Sequence, residues 1–211
     1  MIDSAAVLPK TVAQKLRADI IAQDHAPGSP ITESAVASRF GVARPTARIA
    51  IERLVADGLL RREPHQAARV PRLRSNDVDD LFTNRAIIEG AAIAALTEYG
   101  TIPAAALQAH RSLRSSSAGF AHDDIRFHRA LVAGQPSSRL TRMHELLMGE
   151  IELCTGQVQF AQLLTANEVA DQHQGILDAI TSGDATTAER LTREHILGAR
   201  DRLLTHLNST N

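Results

Sequence analysis

Asp124 and His128 lie one helical turn apart in the segment 123–128, which contains both a carboxylate and an imidazole. On a helix this spacing puts the two side chains on one face, where both can bind one metal ion. The neighbouring Phe127 is expected to face the interior. The pattern predicts two ligands of a metal site at the edge of a helical core.

Two further histidines lie on the apolar stripes of later predicted helices. His173 is in register with the apolar residues of a helix over 165–182, and His195 with those of a helix over 184–207. One inward histidine is more often a hydrogen-bonded core residue. Three of them with one aspartate, on three helices of one bundle, indicate a site for Zn, Ni, Fe or Mn. The alternative is three core histidines without a metal.

The composition bounds the class of protein. The chain has 211 residues, of which 44% are hydrophobic, 22% charged and only 3% aromatic, so we expect a globular protein with an aliphatic, helical core. Cys154 is the single cysteine and lies in an apolar helical series, which predicts a buried thiol. No apolar run reaches the roughly 18–20 residues of a membrane span, so we expect a cytoplasmic protein without membrane contact.

Charge is distributed unevenly along the chain. Residues 1–74 have a net charge of +5, whereas residues 75–211 have a net charge of −6. A basic first third attached to an acidic remainder is typical of a nucleic-acid-binding module joined to a second domain.

Three helix patterns occupy the first third. The first runs over 11–21, the second is capped by Thr32 and ends before Gly41, and the third starts at Pro45 and ends before Gly58. Short strand patterns at 59–62 and 68–70 then predict a β-hairpin. Three helices followed by a hairpin predict a winged helix-turn-helix.

The third helix exposes basic side chains near its start. Arg44 and Arg48 can reach guanine edges or phosphates in a major groove. His65 and Gln66, at the hairpin tip, can reach the minor groove or the DNA backbone. The alternative is a module that binds protein or only mediates dimerisation.

Three segments carry a resemblance to a known family: PG-x-x-ITE at 27–33, GVARPTAR at 41–48 and L-x-x-DGLL at 54–60. They resemble the DNA-binding domain of GntR-type bacterial transcription regulators, over about residues 8–72. The resemblance implies that Ser34, Arg44, Thr46 and Arg48, together with the wing tip, contact double-stranded operator DNA.

Four positions depart from this family pattern. Ala43 stands where the family has Ser or Thr, Pro45-Thr46 reverses its usual Thr-Pro order, Ile49 replaces a usual Glu and Ala67 a usual wing glycine. These departures bear on one backbone-phosphate contact and on the wing tip, rather than on DNA binding as such.

The remainder of the chain is predicted to be helical. Six helical patterns start near residues 78, 103, 120, 137, 165 and 184, with short breaks between them, and predict an antiparallel bundle. The fold class is therefore mostly α. We predict a winged helix-turn-helix domain over 1–72, a linker over 73–76, and a helical effector-binding and dimerisation domain over 77–211.

Motifs in this part carry a second resemblance. R-x-x-x-E at 85–89, D-x-x-F-H at 124–128, H-x-x-I-x-x-A-I-x-x-G-D at 173–184, and His195 resemble the ligand-binding (FCD) domain of the FadR-type branch of GntR regulators. The resemblance implies that Asp124, His128, His173 and His195 hold a divalent metal, with Zn as first choice and Ni, Mn or Fe as alternatives. It also implies that the motif of Arg85 and Glu89 binds a small organic acid. Gln135-Pro136, in place of a Gly-Asn pair, changes only the loop after the Asp/His helix.

Together these patterns predict a homodimeric transcription regulator rather than an enzyme. Its operator affinity is expected to change when a small carboxylate binds over the metal, and repression relieved by ligand is the commoner arrangement in such families. One alternative is a regulator whose effector is the metal ion itself. A metalloenzyme is the other, since a metal with open positions can activate water, although the same motifs contain no clear general base.

Overall fold

The computed structural model describes residues 4–113 and 119–209, with side chains described from residue 8 onward. Within these residues the chain forms nine α-helices and two short strands, which confirms the mostly α fold. The elements are α1 (Ser4–Ile21), β1 (Pro30–Ile31), α2 (Glu33–Phe40), α3 (Arg44–Ala56), β2 (Ala68–Arg69), α4 (Ser75–Tyr99), α5 (Ala104–Leu113), α6 (Ala121–Gly134), α7 (Ser138–Phe160), α8 (Ala166–Thr181) and α9 (Ala185–Ser209).

Helices α1 to α3 form the predicted helix-turn-helix, and their ends follow local chemistry. The Thr32 hydroxyl accepts a hydrogen bond from the backbone N–H of Ala35 at 3.2 Å, which caps α2. Gly41 (φ 63°) ends α2 and Gly58 (φ 76°) follows α3, both in the left-handed conformation that glycine adopts without strain. Pro45 lies in the first turn of α3, where its missing N–H has no helical acceptor to lose.

The wing differs from the predicted hairpin. Strand β2 pairs antiparallel with β1, with Pro30 opposite Arg69, whereas segment 59–62 contributes only one isolated bridge, between Arg61 and Arg69. The two predicted arms therefore pair with each other between Arg61 and Arg69, but β1, which was not predicted, is a second partner of β2. Backbone hydrogen bonds from Gly28 to Val70 (2.8 Å) and from Val70 to Ser29 (3.1 Å) bring the earlier segment alongside.

Helices α4 to α9 are the six predicted helices of the second part. Helices α4 and α9 run antiparallel, since Ser75 Oγ lies 3.1 Å from Asn208 Oδ1 at one end and Gly90 packs on Arg193 further along. Helix α4 begins at Ser75, inside the segment predicted as linker, because the Asp77 carboxylate accepts the backbone N–H of Arg74 at 2.9 Å. The predicted end of α5, at Ser115, lies outside the described residues.

Helix α7 belongs to the packing of both parts of the chain. Its Ile151 and Cys154 lie in the core of the helical bundle, whereas its Leu153 packs into the core of the winged helix-turn-helix. Among the described helices, none combines the length and apolar character that a membrane crossing needs.

Cys154 is fully buried, and burial raises the pKa of its thiol to about 12. Because only the thiolate is nucleophilic, we expect the native protein at pH 8 to remain unlabelled by a disulfide reagent such as DTNB over many minutes. The same reagent should titrate one thiol per chain in denaturant, which serves as the control. Native labelling as fast as that of a small free thiol would contradict this burial.

Candidate metal centre and DNA-binding surface

Four side chains from three helices converge in the bundle. Asp124 and His128 come from α6, His173 from α8 and His195 from α9, and one ligand atom of each lies within 4.8 Å of the others. Asp124 Oδ1 is 3.2 Å from His173 Nε2, 3.4 Å from His195 Nε2 and 3.7 Å from His128 Nε2. The sequence spacing thus corresponds to one compact cluster of three imidazoles around a carboxylate.

The donor atoms of this cluster fit a metal ion. All four side chains are buried, and Asp124 Oδ1, His128 Nε2 and His173 Nε2 have no hydrogen-bond partner in the described part of the chain. Buried polar atoms are seldom left in this way without a reason. One carboxylate oxygen and three imidazole nitrogens are ligands that Zn, Ni, Fe and Mn share, so the residues present suit a divalent cation.

Electrostatics favour the protonation states that a metal requires. Burial lowers the pKa of His173 to about 3 and also lowers the pKa of His128, so both rings are neutral near pH 7. Burial alone would raise the pKa of Asp124, but the surrounding His173, His195 and His128 rings hold it well below its ordinary value. An ionised carboxylate beside neutral imidazoles is the state that binds metals.

Other side chains fix the orientation of the histidine rings. Glu89 Oε2 lies 2.5 Å from His128 Nδ1, and Gln172 Oε1 lies 2.6 Å from His195 Nδ1. The Phe127 ring is buried, as predicted, and stacks on His173 with 3.8 Å between ring centroids. Partners at Nδ1 leave Nε2 of His128 and His195 free to point at Asp124, an arrangement typical of metal-binding histidines.

Glu89, which the sequence motif implies as an effector contact, is enclosed by side chains of its own chain. It is fully buried, and its Oε1 accepts hydrogen bonds from Arg85 Nε at 2.7 Å and pairs with His144 Nε2 at 2.8 Å. Burial alone would raise the pKa of Glu89, but Arg85 and His128 hold it well below its ordinary value. Glu89 therefore orients both Arg85 and His128, which is one of the candidate metal ligands.

A narrow cavity adjoins the cluster on the side of Arg85. Arg85, Asp124 and His195 supply its polar wall, and its volume is only about 10 Å³. Arg85 Nη2 is buried and has no hydrogen-bond partner within the described residues. The remaining lining residues are Phe82, Phe120, Thr155, Val158, Leu164, Val169 and Ala199. The cavity thus combines largely apolar walls with an arginine whose Nη2 has no hydrogen-bond partner among the described residues.

Some of the predicted DNA contacts meet in one groove. Ser34, Arg44 and Gln66 line a cleft of about 340 Å³ between α2, the start of α3 and the wing. Arg48 is exposed on α3, and its Nε donates to Glu52 at 2.9 Å, while Thr46 is half-buried. His65 is exposed in the wing turn with a left-handed φ of 60°. These last three side chains do not line the cleft.

Sequence reasoning missed three side chains of these sites. Arg62 lines the cleft together with Arg44, Gln172 orients His195 and His144 is buried against Glu89. No periodicity marks Arg62 or Gln172, because each lies beside the buried stripe of its segment rather than on it. The pairing of Glu89 with His144 joins residues 55 positions apart and leaves no local signal.

The geometry defines a winged helix-turn-helix protein with a helical domain that contains a buried cluster of one aspartate and three histidines. Residues 8–70 match the family model described as bacterial regulatory proteins of the gntR family, and residues 80–198, more than half of the chain, match the FCD domain. The chain therefore belongs to the GntR family of bacterial regulators, in the branch with an FCD domain.

Curated relatives and solved structures agree with this family. The chain is 28% identical over 196 residues (88% of this chain and 86% of the relative) to a probable D-xylose utilization operon transcriptional repressor of Paenarthrobacter nicotinovorans. It is 25% identical over 214 residues (90% and 82%) to the HTH-type transcriptional repressor NanR of Cronobacter sakazakii. Its fold is similar to that of a putative GntR regulator from Rhodococcus sp. RHA1, with a TM-score of 0.77, 23% identity and coverage of 93% and 97%.

The buried position of Glu89 predicts a large effect on stability. Replacing Glu89 with Ala leaves the Arg85 charge buried without its partner, so we expect the free energy of unfolding to fall by about 3–5 kcal/mol. Urea titration followed by circular dichroism measures this loss. Glu98→Ala, on the exposed surface of the same helix, is the matched control and should stay within about 0.5 kcal/mol of wild type. A loss below about 1 kcal/mol for Glu89→Ala would show that these charges are not buried together.

Proposed function

We propose that this protein is a transcriptional repressor whose operator affinity changes when a small organic acid binds beside a divalent metal in the helical domain. The observation that carries the proposal is Arg85, whose buried Nη2 is unpaired among the described residues and whose side chain lines the same cavity as Asp124 and His195. A carboxylate can satisfy a guanidinium by a charge-assisted hydrogen bond, which is strong in a poorly solvated site. A bare metal ion offers no such partner, so this atom favours an acid as effector.

The metal would be held by Asp124, His128, His173 and His195, with Zn as first choice and Ni, Mn or Fe as alternatives. When bound, such an ion supplies a positive charge that attracts the effector carboxylate. Glu89 and Gln172 keep the His128 and His195 rings oriented towards it. Because the adjoining cavity measures about 10 Å³, which is at most the room that one water needs, an acid must widen it. Effector binding therefore requires movement of the helices that line it.

The operator would be read by the first domain, over about residues 1–72, and the helical domain over 77–211 would provide dimerisation. Support comes from the exposed Arg44 and Arg48 on α3 and from the cleft that brings Ser34 and Gln66 beside Arg44. Thr46 and His65 are the remaining proposed contacts. A two-fold dimer would present two α3 helices to half-sites about one turn of DNA apart. The names of the two curated relatives, both repressors, support repression as the direction of control.

The metal proposal predicts a defined loss of bound ion. Purified wild-type protein should contain about one divalent ion per chain by inductively coupled plasma mass spectrometry. His128→Ala removes one imidazole ligand and should lower this content to a small fraction. His122→Ala, an exposed histidine on the same helix, is the matched control and should retain the ion. Equal metal content in His128→Ala and wild type would reject the cluster as the binding site.

The DNA proposal predicts a loss of operator affinity. A duplex is first selected from a random pool by the wild-type protein and then titrated by fluorescence anisotropy. Arg44→Ala and Arg48→Ala should each weaken binding about 5- to 150-fold, which corresponds to about 1–3 kcal/mol for a lost base or phosphate contact. Arg111→Ala, exposed on α5, controls for loss of general positive charge. If both α3 variants bind as wild type does, α3 is not the recognition helix.

A further inference from the structure

One face of α7 packs so closely on the DNA-binding domain that the backbones of the two are in direct contact. Gly149 faces the turn after α3, where an added Cβ would overlap the Asp57 carbonyl oxygen and lie 2.6 Å from the carbonyl carbon of Gly58. Two helical turns later, Gly156 faces the end of α1, where an added Cβ would overlap the carbonyl oxygen of Ile21. Spacing of seven residues puts both glycines on one face, and both contacts require the absence of a side chain.

A buried carboxylate lies between the two glycines on the same face. Glu152 is 2% exposed, and its Oε2 lies 2.5 Å from Arg17 Nη1 on α1. Arg17 also forms an ion pair with Asp57, the residue that caps the C-terminus of α3. The other oxygen of Glu152 lies 2.6 Å from Arg129 Nη1. Arg129 directly follows His128 on α6, so one carboxylate joins the helix of the metal cluster to the DNA-binding domain.

The other side of α7 faces the metal cluster and its cavity. Thr155 and Val158 line the narrow cavity beside Arg85, and His144 pairs with Glu89, which in turn contacts His128. A ligand that widens the cavity would therefore displace Thr155 and Val158, and with them α7. Since α7 contacts the first domain through backbone at Gly149 and Gly156, a shift of the helix cannot be absorbed there by side-chain rotation.

We propose that α7 couples the metal cluster to the DNA-binding domain of this regulator, as the joint between them. Gly149 and Gly156 form its contact surface for the DNA-binding domain, the seat. The Arg129–Glu152–Arg17 ion pairs connect it to the helix of the metal cluster. The joint sets the angle of α3 according to the state of the cluster. This inference rests on the proposed function of both sites, and it adds the route between them. It assigns a role to residues that touch neither metal nor DNA.

The first test measures the geometry of the joint without metal or DNA activity as readout. Cysteines at the exposed positions Ser38 and Asn167 carry spin labels, and the distance between them is measured by double electron–electron resonance. Gly149→Ala and Gly156→Ala should broaden or shift the distribution, because the added methyl group displaces backbone. Gly198→Ala, in the middle of α9 with nothing within 4 Å of the added atom, is the matched control and should leave it unchanged.

Alanine favours helix more than glycine does, so a displaced domain in the α7 variants cannot result from a weakened helix. A distribution in both variants that is identical to wild type overturns the seat. If the two alanine variants do not fold, Glu152→Gln keeps the shape of the side chain while removing its charge, and should broaden the distribution by releasing Arg17. An unchanged distribution in Glu152→Gln then overturns the joint.

The second test measures the coupling itself. Affinity for the selected duplex is compared in Zn²⁺ and in EDTA, and the ratio in wild type should be at least about 5-fold, the lower end of ordinary allosteric coupling. Glu152→Gln should reduce this ratio below about 2-fold while Zn²⁺ affinity, measured with a chromogenic chelator, stays within about 3-fold of wild type. Asp201→Asn, which removes an exposed carboxylate paired with Arg200 on α9, is the matched control and should keep the full ratio.

The outcomes separate the joint from the proposed function. A wild-type protein that binds both Zn²⁺ and duplex with no change in ratio overturns the joint and leaves both binding sites standing, as does full coupling in Glu152→Gln. A wild-type protein that selects no duplex or binds no Zn²⁺ contradicts the proposed function instead. In that case the distance measurement alone decides whether α7 fixes the position of the first domain.

Discussion

Two carboxylates buried inside a helical bundle impose the main constraint on this structure. Glu89 and Asp124 remain charged because Arg85 and the surrounding imidazoles hold the pKa of each far below the value that burial alone would give. A buried charge is tolerated only with partners in close geometry. The partners come from α4, α6, α7, α8 and α9, so the demand for compensation fixes how these five helices pack.

The same constraint extends to the contact between the helical bundle and the first domain. Helix α7 supplies a partner to Glu89 on one side and receives Arg17 of the first domain on the other. Its position is thus determined by charges in both domains rather than by apolar packing alone. The narrow cavity lies next to this helix, so a ligand of the proposed kind would have to move a part that the first domain contacts directly.

Much of the fold follows from local patterns, whereas the details of the site depend on long-range contacts. The 3.6-residue period and the Thr32, Gly41 and Gly58 signals predict helices α1 to α9, and inward histidines on three helices predict the metal cluster. The two-residue strand β1 is too short to show alternation, so the wing partner was missed. The narrow cavity and the buried pairing of Glu89 depend on side chains that come from different helices. A single sequence contains no signal for such contacts.

Glycine in the middle of a helix has a consequence for how the protein folds. Gly149 and Gly156 each weaken α7 by roughly 1 kcal/mol relative to alanine, so this 23-residue helix has low intrinsic stability where the first domain docks. Contacts with the docked domain compensate for this lost helix stability. They include the packing of Leu153 of α7 into the core of that domain. We therefore expect the two domains to behave as one cooperative folding unit, in which neither reaches its full stability before α7 is shared.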